Sequence, residues 1–105
     1  MQIADYISDN ILEAKLKEGD RIPSVREMAS QVEVNPNTVA RTYSYLQEKE
    51  IIFNKRGVGY FIAADALVKT RDLKKDAFLK QYLPDFLKMI KLLDLNLKDI
   101  EKLAK

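Results

Sequence analysis

The sequence predicts a mostly α-helical protein with one small β-hairpin and a short helical C-terminal region. Apolar residues recur at helical spacing over much of the chain, and a Gly-rich turn separates two short β-prone runs near its middle. Residues 64–105 are rich in Lys and Leu and contain a single proline. A chain of 105 residues accommodates one compact domain with an extension.

Composition removes several functional classes. The chain contains neither Cys nor His, which excludes a Cys nucleophile, a His general base, disulfides and zinc sites built from these residues. We expect no cofactor and no bound metal. No apolar run is long enough to span a membrane, and the N-terminus lacks the residue order of a signal peptide. We therefore expect a cytoplasmic protein without a membrane partner.

The first helix is predicted from Ile3, Ile7 and Ile11, which fall on one helical face. The opposite side of this helix carries acidic residues and should face solvent. The segment Lys17–Asp20 contains a glycine and is expected to end the helix in a turn.

Two further helices follow in close succession, and each begins with a capping signal. Ser24 and Glu27 have the spacing of a capping box, in which each side chain accepts a hydrogen bond from the other residue's backbone N–H. Asn35 is a strong N-cap, and Pro36 suits the first helical position. The interval of about three or four residues between these helices is typical of a helix-turn-helix. The inward face of the later helix is predicted to be Val39, Tyr43 and Leu46.

A hairpin completes this segment. Ile51–Asn54 is predicted as its first strand and Tyr60–Ile62 as its second. The connection between them is basic and Gly-rich, with Lys55, Arg56, Gly57 and Gly59. Three helices followed by such a hairpin form the element order of a winged helix-turn-helix, which we assign to residues 1–63.

Residues 1–63 also resemble the DNA-binding domain of GntR-type transcriptional regulators. The motifs that carry the resemblance are Gly19–Ala29, Val34–Tyr43 with Leu46, and Gly57–Ile62. The resemblance implies that the start of the third helix enters the major groove, where Asn reads adenine and Arg reads guanine. It also implies that Arg26 on the second helix contacts the DNA, and that Lys55 and Arg56 of the wing approach backbone phosphate or the adjacent minor groove.

The residues expected to bind DNA combine this resemblance with the predicted exposed faces. They are Ser24, Arg26, Asn35, Asn37, Thr38, Arg41, Lys55, Arg56, Gly57 and Gly59. Ser24 and Asn35 have an alternative role as helix caps, and Gly57 has one as a turn residue. Thr38 has the alternative of a solvated side chain, and Lys55 and Arg56 that of ordinary charges at a hairpin tip.

Four positions depart from the pattern of the family. Glu33 and Glu50 stand where the family usually has glycine, so a left-handed backbone there would cost on the order of 1 kcal/mol at each. As two acids beside the DNA-binding face, they would also weaken its attraction to phosphate. Ala40 stands where many relatives carry a base-contacting arginine, and Tyr60 replaces a common wing threonine. The operator sequence therefore does not follow from the resemblance.

The charge of the predicted DNA-binding segment is unexpectedly low. Residues 1–63 carry 8 basic and 9 acidic residues, a net charge of −1, whereas residues 64–105 carry 10 and 7, a net charge of +3. Nucleic-acid binders need a basic face rather than a basic total. Because the acids concentrate on the first helix, we expect a basic reading surface elsewhere and a modest salt dependence from a few phosphate contacts.

Residues 64–105 are predicted to be helical and apolar on more than one side. Pro84 predicts a kink or a fresh helix, and Asn96–Asp99 is typical of a cap that opens a last short helix. Such apolar width predicts a homodimer; the alternative is that the tail packs on its own winged helix. The residues assigned to the dimer are Leu73, Phe78, Leu79, Tyr82, Phe86, Met89, Ile90 and Leu93. This arrangement resembles the short YtrA-like subgroup of the family.

The leading hypothesis is a dimeric, sequence-specific repressor that binds a pseudo-palindromic operator in double-stranded DNA. A small-molecule effector is an open expectation, although the sequence shows no ligand-binding constellation. The alternative is a winged-helix protein-interaction module without specific DNA binding, which the low charge favours. An enzyme is the third hypothesis and the weakest, because it would need a carboxylate pair or an activated Lys that the pattern does not indicate.

Overall fold

The computed structural model describes residues 3–104 and divides them into two compact units, of which the first ends at Asp72 and the second begins at Leu73. The helices of the first unit are α1 (Ile3–Leu12), α2 (Val25–Val32) and α3 (Pro36–Glu48). Its strands are β1 (Arg21–Ile22), β2 (Ile52–Lys55) and β3 (Gly59–Ile62). Then come α4 (Ala66–Ala77), a π-helical segment (Phe78–Tyr82), α5 (Leu83–Leu92) and α6 (Leu97–Leu103). The predicted class, mostly helical with a small sheet, is confirmed.

The sheet has one strand more than the sequence predicted. Its order is β1-β3-β2, and both pairings are antiparallel. β1 is only two residues long, too short for any periodicity, and it forms because Arg21 pairs with Phe61 and Ile22 with Tyr60. The first predicted strand also begins one residue too early. Ile51 belongs to the turn after α3, where its N–H donates to the Leu46 carbonyl over 2.9 Å.

The core of the first unit lies between the three helices and the inner face of the sheet. Each helix contributes one stripe, and the predicted faces of α1 and α3 are confirmed. On α2, Met28 and Ala29 are buried, whereas Val25 and Val32 are half-buried. The side chains with 2% or less exposure are Ile7, Ile11, Ile22, Met28, Val39, Tyr43, Leu46, Ile51, Ile52, Ile62 and Thr70.

The end of α1 differs from the prediction. The helix stops at Leu12, and the turn at Lys17–Asp20 comes only after a further irregular stretch. Ala14 adopts a left-handed backbone with φ of 61°, which turns the chain away from the helix axis. The N–H groups of Lys15 and Leu16 then donate to the Asn10 carbonyl over 2.8 and 3.0 Å. These two bonds satisfy a carbonyl that the ended helix would otherwise leave unpaired.

The start of α4 belongs to the first unit. The functional boundary after residue 63, in the loop that precedes this helix, stays a prediction; the first compact unit extends into the helix and ends at Asp72. The reason is that Ala66 and Thr70, one turn apart, are buried to 3% and 1% exposure. The first turns of α4 therefore complete the winged-helix core.

In the second unit, the helix changes form ahead of Pro84. The N–H of Leu83 donates to the Phe78 carbonyl, five residues back, which is the π-helical pattern. A fresh α-helix then begins at Leu83, as one of the two sequence alternatives predicted, with Pro84 in its first turn. The predicted cap of α6 is confirmed as a capping box between Asn96 and Asp99.

Two wing glycines provide a matched test of backbone strain. Gly57 has φ of +79° with open space where a Cβ would lie, whereas Gly59 has φ of +143° and its Cβ would lie 3.0 Å from Nε of Arg21. Gly57→Ala should cost about 1–2 kcal/mol from the left-handed backbone alone. Gly59→Ala should cost about 1–3 kcal/mol and also displace Arg21. Urea unfolding of both variants measures the two losses of stability. A Gly59→Ala protein as stable as wild type would show that a side chain at this position is not strained.

Candidate nucleic-acid interface

The start of α2 is fixed by a complete capping box. The Ser24 hydroxyl accepts a hydrogen bond from the Glu27 N–H over 3.1 Å, and Glu27 Oε1 accepts one from the Ser24 N–H over 2.9 Å. Glu27 also lies 3.9 Å from the guanidinium of Arg21. The Ser24 side chain is thus used as a cap, and its contact with DNA stays a prediction. Arg26, on the same first turn, is exposed and points away from the buried Met28 and Ala29.

The Glu27 cap gives a pH prediction. The hydrogen bond from the Ser24 backbone, reinforced by the Ser24 side chain and by Arg21, lowers the pKa of Glu27 below its ordinary value of 4.5. A lowered carboxyl pKa stabilises the fold above the unfolded pKa, and that stabilisation is lost as pH falls through the folded pKa. Glu27→Gln should therefore be less stable than wild type at pH 7, with the gap closing as pH falls through the lowered folded pKa of Glu27. Urea midpoints measured from neutral to acidic pH test this; a gap that stays constant would contradict it.

The turn between α2 and α3 is held by two backbone features. Glu33 ends α2 in the left-handed conformation, with φ of 53° and ψ of 49°. Asn35 then caps α3, since its Oδ1 accepts a hydrogen bond from the Asn37 N–H over 2.7 Å, and Pro36 occupies the first turn. Asn35 therefore has the capping role that the sequence left as an alternative, and its DNA contact stays a prediction.

Glu33 carries the strain that the sequence anticipated for a non-glycine residue here. Glu33→Gly should relieve the left-handed penalty of about 1–2 kcal/mol, less about 0.4–1 kcal/mol for the greater freedom of glycine in the unfolded chain. We expect a net stabilisation of roughly 0.5–1 kcal/mol and tighter DNA binding from the removal of a negative charge. A higher urea midpoint at unchanged slope would show the first effect. A lower midpoint would contradict it.

The recognition face of α3 lies opposite its buried stripe. Val39, Tyr43 and Leu46 are at most 1% exposed, whereas Asn37, Thr38 and Arg41 are exposed. Tyr43 anchors the helix, because its hydroxyl donates to the Pro23 carbonyl over 2.6 Å and its ring meets Tyr60 edge-on at 4.8 Å. Burial raises the pKa of the Tyr43 hydroxyl, which keeps it protonated as a donor. Behind its exposed face, α3 is thus held to β3 and to the segment between β1 and α2.

The wing presents its two cations at the tip of the β2–β3 hairpin. Lys55 ends β2 and Arg56 begins the turn, and both are exposed. The turn closes when the Val58 N–H donates to the Lys55 carbonyl over 2.8 Å. Gly57 supplies the positive φ at the tip and leaves the space above it open. The structure therefore brings Lys55, Arg56 and Gly57 together on one solvent-facing loop.

The contacts of Arg21 and the role of Lys69 were not identified from the sequence. Arg21 packs against Gly59 and faces Glu27, so it links the wing to the start of α2. Lys69, on α4, lies 3.2 Å from the Glu50 carbonyl and 3.7 Å from its carboxylate. Glu50 also has a left-handed backbone, with φ of 59°. Lys69 therefore offsets one of the two acids that the sequence identified as unfavourable for DNA binding.

The residues assigned to the dimer lie mostly on the surface of the second unit. Leu73 and Ile90 are half-buried. The other six assigned residues, exposed by 39–63%, are Phe78, Leu79, Tyr82, Phe86, Met89 and Leu93. Phe78 and Tyr82 stack on each other at 6.4 Å. No residue between Leu73 and Ala104 is fully buried.

Two further features were searched for in the described part of the chain, a metal site and a membrane span. Among residues 3–104, no group of three or more acidic side chains is placed to hold a metal ion. Within the same range, none of the helices is long and apolar enough to cross a membrane.

An exposed recognition helix, a capped helix before it and a basic wing tip define a DNA-binding winged helix-turn-helix. The family model described as "Bacterial regulatory proteins, gntR family" matches residues 1–62. The chain is 42% identical over 100 residues to the HTH-type transcriptional regulator YhcF of Bacillus subtilis (strain 168), covering 95% of this chain and 81% of that protein. It is 40% identical over 65 residues to the HTH-type transcriptional repressor YtrA of the same organism, covering 62% of this chain and 50% of YtrA.

A solved structure extends the similarity over nearly the whole chain. A GntR-family protein from Bacteroides thetaiotaomicron superposes with a TM-score of 0.78 at 46% identity, covering 98% of this chain and 89% of the other. The chain therefore belongs to the gntR family of bacterial regulatory proteins. It is a transcriptional regulator with a DNA-binding winged helix and not an enzyme.

Proposed function

We propose that the protein is a homodimeric repressor that binds a pseudo-palindromic operator and excludes RNA polymerase from it. The observation that carries the proposal is the combination of an exposed α3 face, formed by Asn37, Thr38 and Arg41, with an exposed basic wing tip in the same compact unit. Arg26 and the wing cations would contact phosphates, which position the domain, while the α3 side chains would contact base edges, which specify the sequence. Such a protein acts on DNA in the cytoplasm, the compartment predicted from the sequence.

The dimer is supported by the second unit. Its 33 residues, Leu73–Lys105, are too few to form a core alone, and its apolar side chains are largely uncovered in a single copy. A second copy related by a two-fold axis would cover them and place two recognition helices roughly 34–36 Å apart, one turn of DNA. In this proposal residues 1–63 bind DNA and residues 64–105 hold the dimer, through the part of them that lies beyond the α4 turns packed in the winged-helix core.

The repressor assignment is supported by similarity alone. YtrA of Bacillus subtilis, which shares 40% identity over 65 residues with this chain, is named as a transcriptional repressor. Occlusion of a promoter needs only a dimer bound to its operator, so repression requires no further domain. A small-molecule effector stays a prediction, and it would act by changing the spacing of the two recognition helices.

A mobility-shift titration against the DNA upstream of the protein's own gene tests the proposal. We expect a saturable complex that resists excess unrelated DNA and weakens as salt rises, with the modest slope of a few phosphate contacts per subunit. Absence of a shift at low salt, with folded protein, would refute DNA binding and favour the protein-interaction module.

Sedimentation tests the dimer separately. Met89→Glu places a charge among the exposed apolar side chains of α5, and Lys88→Glu is the control because it alters an exposed residue that is already charged. Wild type and Lys88→Glu should sediment as dimers. Met89→Glu should already be monomeric at protein concentrations at which wild type is still a dimer. A wild-type protein that is monomeric at micromolar concentration would contradict the dimer.

A further inference from the structure

A row of short, uncharged side chains runs along the exposed side of α3. Asn37, Ala40 and Ser44 are spaced i, i+3 and i+7, and all three are exposed. At about 100° per residue, Ala40 and Ser44 lie about 100° and 140° from the buried Val39. We call Asn37, Ala40 and Ser44 the short-residue row. Asn, Ala and Ser are uncharged, and Arg41 lies next to the row, on the side away from Gln47.

The short-residue row lies on the side of α3 that adjoins the wing sheet. Gln47, one turn beyond Ser44, lines a surface cavity of about 470 Å³ together with Phe53 and Asn54 of β2. The buried Tyr43 ring, next to Gln47 around the helix, meets the ring of Tyr60 on β3. A DNA duplex that contacts both α3 and the wing tip would therefore meet this row.

The chemistry of the row selects one kind of base pair. Because its side chains are short, the helix backbone can approach the floor of the groove, where the Cβ of Ala40 becomes a contacting group. Ala40 offers only a methyl group, and the one apolar group on a base edge in the major groove is the C5-methyl of thymine. The Asn37 side-chain amide makes no hydrogen bond within residues 3–104 and matches the donor and acceptor of adenine.

We propose that Ala40 contacts the C5-methyl group of a thymine in each operator half-site, so that the half-site contains an A·T pair read by Ala40. The inference rests on the proposed function, because it requires an operator. It names the base that α3 recognises at one position, whereas Arg41 and the wing cations supply contacts that do not depend on this base.

Replacing thymine by deoxyuridine removes that methyl group and nothing else. In the smallest upstream duplex that wild type binds, each thymine is changed in turn and affinity is measured by mobility shift. We expect one thymine per half-site at which deoxyuridine weakens wild-type binding about fourfold. This factor corresponds to the free energy gained when one methyl group is withdrawn from water. In Ala40→Gly the same change should have no effect, and the thymine and deoxyuridine duplexes should bind equally.

Glu48→Gly is the matched control, since it places a glycine in the same helix at an exposed position outside the row. It should keep the fourfold discrimination whatever its overall affinity. Wild type that binds the operator with no sensitive thymine would overturn the inference and leave the proposed function intact. A fourfold effect that persists in Ala40→Gly would also overturn the inference and leave the proposed function intact. Failure of wild type to bind any upstream DNA would overturn both.

Discussion

Reversing the charge of Arg26 and Arg41 together is expected to abolish operator binding while the dimer remains intact. Both side chains are exposed, on α2 and α3 respectively, so neither change disturbs the core. An arginine that reads guanine in a bidentate manner contributes about 1–3 kcal/mol per half-site. The salt slope should also fall by about one for every phosphate that the variant no longer binds. With two copies per dimer, the Arg26→Glu/Arg41→Glu protein should bind its operator at least about a hundredfold more weakly.

The control for this variant changes the same net charge elsewhere. Lys15 and Lys17 lie after α1, and both are exposed. The Lys15→Glu/Lys17→Glu protein should lose only the small affinity that follows from a less positive total charge. Mobility shift and sedimentation on both proteins give the comparison. Equal losses in the two variants would show that binding depends on overall charge and not on the α3 surface.

Truncating Tyr43 should produce the largest loss of stability. The side chain is 0% exposed, and Tyr43→Ala should cost about 3–5 kcal/mol because apolar burial is removed and a cavity remains. Tyr43→Phe keeps the ring against Tyr60 but leaves the Pro23 carbonyl without its 2.6 Å hydrogen bond, which should cost about 1–3 kcal/mol. Urea unfolding at pH 7 measures both.

A comparison residue separates the role of Tyr43 from that of tyrosines in general. Tyr45 is on the same helix and is 44% exposed, so Tyr45→Ala should change stability by less than about 1 kcal/mol. A Tyr43→Ala protein as stable as Tyr45→Ala would show that α3 is not anchored through this side chain. Tyr43 variants should lose DNA affinity only under conditions in which their lower stability leaves part of the domain unfolded.

Local chemistry explains why the sequence predicted so much of the helix-turn-helix. The caps at Ser24 and Asn35 act on backbone groups two or three residues away, and the stripe Val39, Tyr43 and Leu46 repeats within one helix. All the residues that form such a signal lie within a few positions of one another in the sequence. The exposed face of α3 was predictable for the same reason, because it is the complement of the buried stripe.

Most of the features that the sequence missed depend on distant partners. β1 exists only through its pairing with β3, about forty residues later in the chain. Lys69 reaches Glu50 across nineteen positions, and Arg21 reaches Gly59 across the sheet. The π-helical segment before Pro84 depends on how the backbone reorganises around a missing N–H. None of these has a periodic or capping signal.

The limits of a single sequence are clearest at the reading surface. Glu33 and Glu50 were identified as unfavourable from their charge and backbone, and both adopt the left-handed conformation. We expect their effects on DNA binding to differ, however, because both are exposed but only Glu50 has an ion pair, with Lys69, among residues 3–104. We therefore expect Glu33→Gly to raise DNA affinity more than Glu50→Gly, although both remove one negative charge.

Hydroxyl-radical footprinting of the wild-type protein on its upstream DNA tests the proposed mode of action most directly. Two recognition helices held by one dimer should protect two short patches related by a dyad, roughly 10 base pairs apart centre to centre. The Arg26→Glu/Arg41→Glu protein should leave the same DNA unprotected. A single unpaired patch, or uniform weak protection without a dyad, would contradict a dimer reading a pseudo-palindromic operator.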